Sequence, residues 1–285
     1  MGCAGCIVEH LKWIAMSDGL DKKEKLIIVK IGGNVIDDPH DLDSFLKEFS
    51  GIKGKKILVH GGGKIATSIG EKLGIQSQYI DGRRITDDET IDLVTMVYGG
   101  LVNKRIVAKL QSMNCNAIGI TGADGNLLPA KKRPVREINY GWVGDVNAAD
   151  INSKSWQLFL ENSLNPVIAP LTHDSDGHIL NTNADTIASV LAVNLSSCYE
   201  VILVFCFEKN GVLQAVEDEH SVIGKLNQEE YISLKKSNKL FAGILPKIDN
   251  AFDAINKGVK EVKIGNSSQL SSLINGESGT KISLQ

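Results

Sequence analysis

The sequence has none of the long apolar runs, of roughly 18 residues or more, that span a bilayer. It also has no block of lysine and arginine to serve as a footprint on nucleic acid, and its formal charge is only -3. Cysteine is scarce and without framework spacing: of five in the chain, Cys115, Cys198 and Cys206 fall in or beside apolar strand-like runs and fit buried thiols of a reducing compartment. Cys3 and Cys6 form a lone C-x-x-C with no second pair to complete a zinc site, so no metal ligand is expected there. The opening MGCAGC lacks the Ser or Thr of a myristoylation signal, and no basic and apolar regions precede a cleavage site. We therefore expect a cytoplasmic globular protein with no membrane and no nucleic-acid partner.

What is present is enough apolar residue, 42% of 285 positions, to bury a large core in one or two domains. Short β-branched runs (KLIIVKIGG, KKILVHGGG, NAIGITG, NPVIAPL, YEVILVFCF, KEVKIG) predict strands. Between them DLDSFLKEF, KIATSIGEKLG, the segment 87–112, NADTIASVLAVNL and KIDNAFDAINKG repeat apolar residues at helical spacing. Asp87 or Asp88 can cap the long one. Such alternation predicts an α/β fold, an open αβα sandwich with a mainly parallel central sheet. The pattern restarts near residue 197 with no Pro-rich or Gly/Ser linker, which divides the chain into 23–197 and 198–285 as two tightly joined halves, after an extension of residues 1–22.

Glycines mark the ends of the first two strands. Gly32 and Gly33 follow one, Gly61 to Gly63 the other, with Lys30 and Lys64 beside them. Ligands of open sheets bind beyond the carboxyl ends of strands, where glycine lets backbone N–H groups approach an anion. The stretch KILVHGGGKIA is no P-loop, because Lys64 is followed by Ile65 rather than Ser or Thr. A dinucleotide fingerprint fits it loosely through Gly61, Gly63 and Ala66, with Asp81 about 20 residues on as a ribose-binding acid. His60, at the end of a buried strand, fits a hydrogen-bonded structural residue better than a catalyst. Further on, HDSDGHILNTNAD predicts a hairpin with an Asp-Gly turn and a helix entered at Asn183 or Asp185. Helix capping alone leaves Asn181, Asn183 and Asp185 incompletely explained.

Six segments, VKIGGN, VHGGGK, DGRRIT, VNKRIVAKL, NTNAD and GILPKIDNAFDA, stand in the order and at roughly the spacing of the amino acid kinase family. From about residue 26 onward the chain resembles that family. The dinucleotide alternative explains only the second segment. The resemblance implies that ATP, with Mg²⁺ bound mainly through the nucleotide, phosphorylates the side-chain carboxylate of an acylated amino acid, N-acetyl-L-glutamate, in arginine biosynthesis. It implies that the N-terminal half binds the acceptor and the C-terminal half the nucleotide. By the same resemblance Lys30 and Lys247 stabilise the transferring phosphoryl group and Asp185 orients them. Gly32 and Gly33 offer N–H groups to the phosphate, and Gly62 and Gly63 to the acceptor. Arg84 grips a substrate carboxylate, Asn181 holds the acylated amino acid, and Glu208, Lys209, Asn210, Gly211 and Phe241 border the nucleotide. Arg83 is expected on the opposite, solvated face, since neighbours on an extended segment alternate.

Residue chemistry agrees with that expectation. A carboxylate acceptor, with an ordinary pKa near 4.3, is ionised at neutral pH and needs no general base. What it needs is cations and amides that let one anion approach another in line. The chain departs from the family where VFCFEKNGVL stands for the usual LLTDVPGVL, Glu208 replacing an aspartate and Lys209 a valine, and where AGILPK stands for GGMIPK. These departures bear on nucleotide affinity or purine preference rather than on the acceptor.

Alternatives remain in the acceptor (N-succinyl-L-glutamate, or aspartate, glutamate, UMP or carbamate) and in class, an amino-acid-binding regulator with a degenerate ATP site. Ile91, Leu93, Val94, Met96, Val97, Leu101, Val102, Ile106 and Val107 spread around the long helix. The family places this helix at a two-fold interface, so a homodimer is expected. The segment IVEHLKWIAM fits either a short amphipathic helix or an upstream start before Met16. The C-terminal LINGESGTKI resembles endings of relatives that arginine does not inhibit.

Overall fold

The computed structural model describes residues 23–80, 82–215, 217–237, 240 and 244–284. Cys3, Cys6, the IVEHLKWIAM segment, Asp81 and Phe241 lie outside them. Strands are β1 (Lys25–Ile31), β2 (Lys55–His60), β3 (Tyr79–Ile80), β4 (Arg83–Arg84), β5 (Ala117–Ile120), β6 (Ala130–Lys132), β7 (Gly144–Val146) and β8 (Asn165–Ile168). They continue as β9 (Leu171–His173), β10 (Ile179–Asn181), β11 (Glu200–Phe207), β12 (Lys225–Leu226), β13 (Glu261–Asn266) and β14 (Thr280–Ile282). The helices are α1 (Gly33–Asp37), α2 (Pro39–Gly51), α3 (Gly63–Leu73), α4 (Asp88–Val94), α5 (Asn103–Ser112) and α6 (Ser153–Glu161). After them come α7 (Ala184–Leu195), α8 (Gln228–Lys236), α9 (Leu245–Asn256) and α10 (Leu270–Asn275).

Among the described residues one eight-stranded sheet runs β12-β14-β13-β11-β1-β2-β8-β5. All its pairings are parallel except β13 with β14. The strands expected from the apolar runs are the six contiguous ones from β13 to β5. Their side chains alternate between two cores, as strand geometry requires. Leu26 and Ile28 of β1 join Ile57, Val59 and the apolar side of α7 on one face. On the other, Ile27, Val29 and Ile31 join Leu58, Phe45 and Phe49 of α2, and Ile106 of α5. The sheet is thus covered by helices on both faces, an open αβα sandwich.

Local chemistry sets the helix starts. Asp38 caps α2, its Oδ1 accepting from the His40 and Asp41 N–H groups at 2.8 and 3.0 Å. Of the two candidates for the long helix, Asp87 is the cap, accepting from Thr90 N at 2.9 Å. Between α4 and α5 the backbone winds as a π-helix over Thr95–Val102. That wider turn shifts the apolar positions: Leu93, Val94, Val97, Val102 and Ile106 are all buried within the chain, while Met96 stays 59% exposed. Ile91, Leu101 and Val107 are only partly buried, so part of the apolar arc stays open at the surface. No helix among the described residues is long and apolar enough to cross a membrane.

Candidate active site

Strand parity places the first cation. Lys30 shares the β1 face of Leu26 and Ile28, toward α7, whose first turn carries Asp185. Lys30 Nζ lies 2.7 Å from Asp185 Oδ1, and Lys247 Nζ, from the first turn of α9, donates to Oδ2 at 2.8 Å. The three side chains are 11, 21 and 13% exposed for Lys30, Lys247 and Asp185. Burial by itself raises a carboxyl pKa, but the charges of Lys30 and Lys247 and their hydrogen bonds prevail and hold Asp185 down at about 2. Two cations share one anion, so the cluster carries a net positive charge at neutral pH.

An open cleft of about 560 Å³ adjoins this cluster, lined among others by Lys30, Gly33, Gly62, Gly63, Arg84 and Asn181. Gly62 is required twice over at its position. Its φ is +152°, and a Cβ there would come within 3.0 Å of the Tyr98 ring of the π-helix. At Gly32 a Cβ would meet no protein atom within 4 Å, so space lies open at the end of β1. Gly61 N donates to Ile31 O at 3.1 Å, locking the two glycine turns together.

Arg84 is buried and reaches the mouth of α3, donating from Nη2 to Gly63 O at 2.8 Å and to Thr67 Oγ1 at 2.9 Å. It also donates from Nη1 to Ser77 and lies 4.8 Å from the centre of the Tyr79 ring. Arg83 is exposed, and it borders the cleft as well. Asn181 donates from Nδ2 to Thr86 Oγ1 at 3.0 Å. Asn183 is the cap of α7, accepting from Thr186 N at 3.1 Å. Asn181, Asn183 and Asp185 of NTNAD thus have three separate tasks.

The segment following β11 carries the remaining described candidates. Glu208 Oε2 accepts from Asn34 Nδ2 at 3.2 Å, which links it to the β1 turn. Lys209 pairs with Glu219 at 3.0 Å, and Asn210 Oδ1 accepts from Asn266 Nδ2 at 3.1 Å. At Gly211 a Cβ would come within 2.8 Å of Thr280 Oγ1 and Val222 Cγ1. These four residues are absent from the cleft lining, whereas Lys64, Tyr98 and Arg133 belong to it. Arg133 had no sequence signal beyond its place in the basic KKRPVRE. It pairs with Asp145 through Nε at 3.0 Å and Nη2 at 2.6 Å across the β6–β7 hairpin, and its buried Nη1 has no hydrogen-bond partner.

Residues 25–266 match the profile of the Amino acid kinase family. The chain belongs to that family. An acetylglutamate kinase of Cytophaga hutchinsonii is 53% identical over 262 residues, covering 91% of this chain and 98% of that protein. One from Bacteroides fragilis is 49% identical over 260 residues, covering 91% and 97%. Among solved structures of the fold, smu.665 from Streptococcus mutans superposes with a TM-score of 0.74 at 28% identity, over 91% of this chain and 99% of that one. In this amino acid kinase the strand-end glycines, two lysines and shared aspartate assemble at one end of the parallel sheet.

Proposed function

We propose that this chain transfers the γ-phosphoryl group of ATP to the side-chain carboxylate of N-acetyl-L-glutamate, forming an acyl phosphate on the route to arginine. The observation that carries the reading is the Lys30–Asp185–Lys247 bridge at the edge of a glycine-lined cleft. The relatives at 53 and 49% identity bear the name of this activity over nearly their whole length.

The acceptor carboxylate is already a nucleophile, so the residues' task is to assemble anions. Arg84 and Asn181 hold the acylated amino acid, while Gly62 and Gly63 offer N–H groups to the carboxylate that attacks. Lys30 and Lys247 meet the phosphoryl group from two sides, and Asp185 fixes both ammonium groups without cancelling their charge. The cationic and amide donors suit a polyphosphate, with Gly33 in the cleft wall and Gly32 beside it offering N–H groups to its terminal group. Mg²⁺ held mainly through the nucleotide would offset phosphate charge. Residues 23–197 form the acceptor half and 198–285 the nucleotide half, where Glu208, Lys209, Asn210 and Gly211 border ATP. The working protein is a cytoplasmic homodimer, joined through the long helix that exposes Met96 and insensitive to arginine.

Arg133 favours a second acceptor, N-succinyl-L-glutamate, because the terminal carboxylate of a succinyl group would give its unpartnered Nη1 an acceptor. ADP release measured across acetylglutamate, succinylglutamate, glutamate, aspartate and UMP tests both readings. The highest kcat/KM is expected with acetylglutamate. A preference for succinylglutamate selects the second reading, and turnover only with an unacylated acceptor or UMP rejects both.

A further inference from the structure

His60 closes β2 and is fully buried. It shares the parity of Leu58, so its ring turns toward the helix layer of α5, away from the face that carries Lys30. There Nε2 lies 3.1 Å from Asn103 Nδ2, and Nδ1 lies 2.6 Å from the carbonyl oxygen of Gly61.

The neighbours of Asn103 fix which atom donates. Its Nδ2 also donates to Val167 O at 2.9 Å, and a carbonyl can only accept. Its Oδ1 receives Lys104 Nζ at 3.2 Å, and an ammonium can only donate. The amide orientation is therefore determined, Nδ2 donates to His60 Nε2, and the imidazole proton resides on Nδ1. His60 accordingly donates to Gly61 O.

That bond controls a peptide facing the cleft. In a trans peptide the C=O and the following N–H point in opposite directions, so drawing the Gly61 oxygen inward turns the Gly62 N–H outward. The other backbone groups of the pair are engaged: Gly61 N donates to Ile31 O at 3.1 Å, and Gly62 O accepts from Ala66 N at 3.0 Å. The Gly62 N–H remains for an anion in the cleft that Gly61 and Gly62 line. We propose that His60 is a positioning residue for phosphoryl transfer, a neutral Nδ1–H donor that holds the Gly61–Gly62 peptide with its N–H toward the reacting anions. The assignment of those anions rests on the function proposed above.

Two substitutions separate the halves of this role. In His60→Asn the amide nitrogen falls near the place of Nδ1 and can still donate to Gly61 O. In His60→Gln the side chain reaches Asn103 instead and loses the donor to Gly61. We expect His60→Gln to lower kcat by roughly 10- to 100-fold, the usual cost of a misplaced catalytic dipole, with KM for ATP unchanged. His60→Asn should recover most of that loss. Equal kcat in the two variants overturns the proposal. The ¹⁵N spectrum of histidine-labelled wild-type protein tests the same bond without turnover. A neutral Nδ1–H form of His60 that does not titrate between pH 5 and 8 is expected, and an Nε2–H form or titration near pH 6.5 overturns the proposal. Absence of ADP release from the wild type with any acylated glutamate would instead reject the function, and the spectrum would still decide the bond.

Discussion

At the ends of β1 and β2, hydrogen bonds to the backbone set the shape. Gly61 N is tied to Ile31 O, Gly62 O to Ala66 N, and Gly61 O to the buried ring of His60. The segment after β11 begins instead with exposed side-chain pairs, such as Lys209 with Glu219, whose side chains are 34 and 64% exposed, before Val212 and Leu213 turn into the core. An exposed pair of that kind contributes at most about 1 kcal/mol and tolerates replacement. At Gly62 a side chain would be strained by the φ of +152° and crowded by the Tyr98 ring. The two regions thus differ in how they are held: the glycine turns by buried groups, and Glu208 and Lys209 by side chains at the surface, whereas residues 204–207 of VFCFEKN belong to the buried end of β11.

The sharpest way to test that contrast is at the bridge where the two sides meet. On the proposed mechanism, in which both charges serve the transition state, Lys30→Ala and Lys247→Ala should each lower kcat by about 100-fold or more, with little change in the acceptor KM. Steady-state kinetics checks this, and normal turnover in either variant removes that lysine from the mechanism. A smaller effect is expected at Arg84. Its planar guanidinium engages Gly63 O, Thr67 and Ser77, and an ammonium cannot occupy all three directions. Arg84→Lys should raise the acceptor KM by roughly 10-fold, more than Arg83→Lys does. The reverse order would transfer the acceptor role to Arg83.

Much of this site was legible because it depends on short-range rules. Lys30 and His60 fall on opposite faces of the sheet by simple alternation, and glycines mark the strand ends where a ligand can approach. The six apolar runs became the six contiguous strands for the same reason: each is too short and β-branched for a helix, and its neighbours are strongly helical. What escaped was set at a distance. Lys247 meets Asp185 across 62 residues of sequence, and only the family motif put them together. The π-helical register of Thr95–Val102 depends on packing that leaves no apolar signature of its own. Arg133 looked like one surface cation among several until the β6–β7 hairpin brought it to Asp145.

The hydrogen bonds around His60 should also leave a mark on stability. Burial pushes His60 down to about 4, against an ordinary value of 6.5. Between those values the unfolded chain binds the proton more readily than the fold does, so stability rises with pH from about 4 to 6.5 and the contribution is complete above that window. Denaturant unfolding at pH 5 and pH 7 should show a larger gain for wild type than for His60→Asn, which has no group to titrate there. Equal gains would mean that His60 is not held neutral. The smallest effects are expected just after β11. Glu208→Asp should keep activity within about twofold, since the carboxylate is retained, and Lys209→Ala should change stability by no more than about 0.5 kcal/mol. A larger loss in either would show that the exposed segment is as constrained as the glycine turns.

The central claim is that the cleft makes an acyl phosphate, and hydroxylamine trapping tests it directly. With ATP, Mg²⁺ and N-acetyl-L-glutamate, the protein should yield a hydroxamate in step with ADP, and Lys30→Ala should yield neither at a comparable rate. ADP released without hydroxamate, or no reaction of the wild type with any acylated glutamate, would contradict the account.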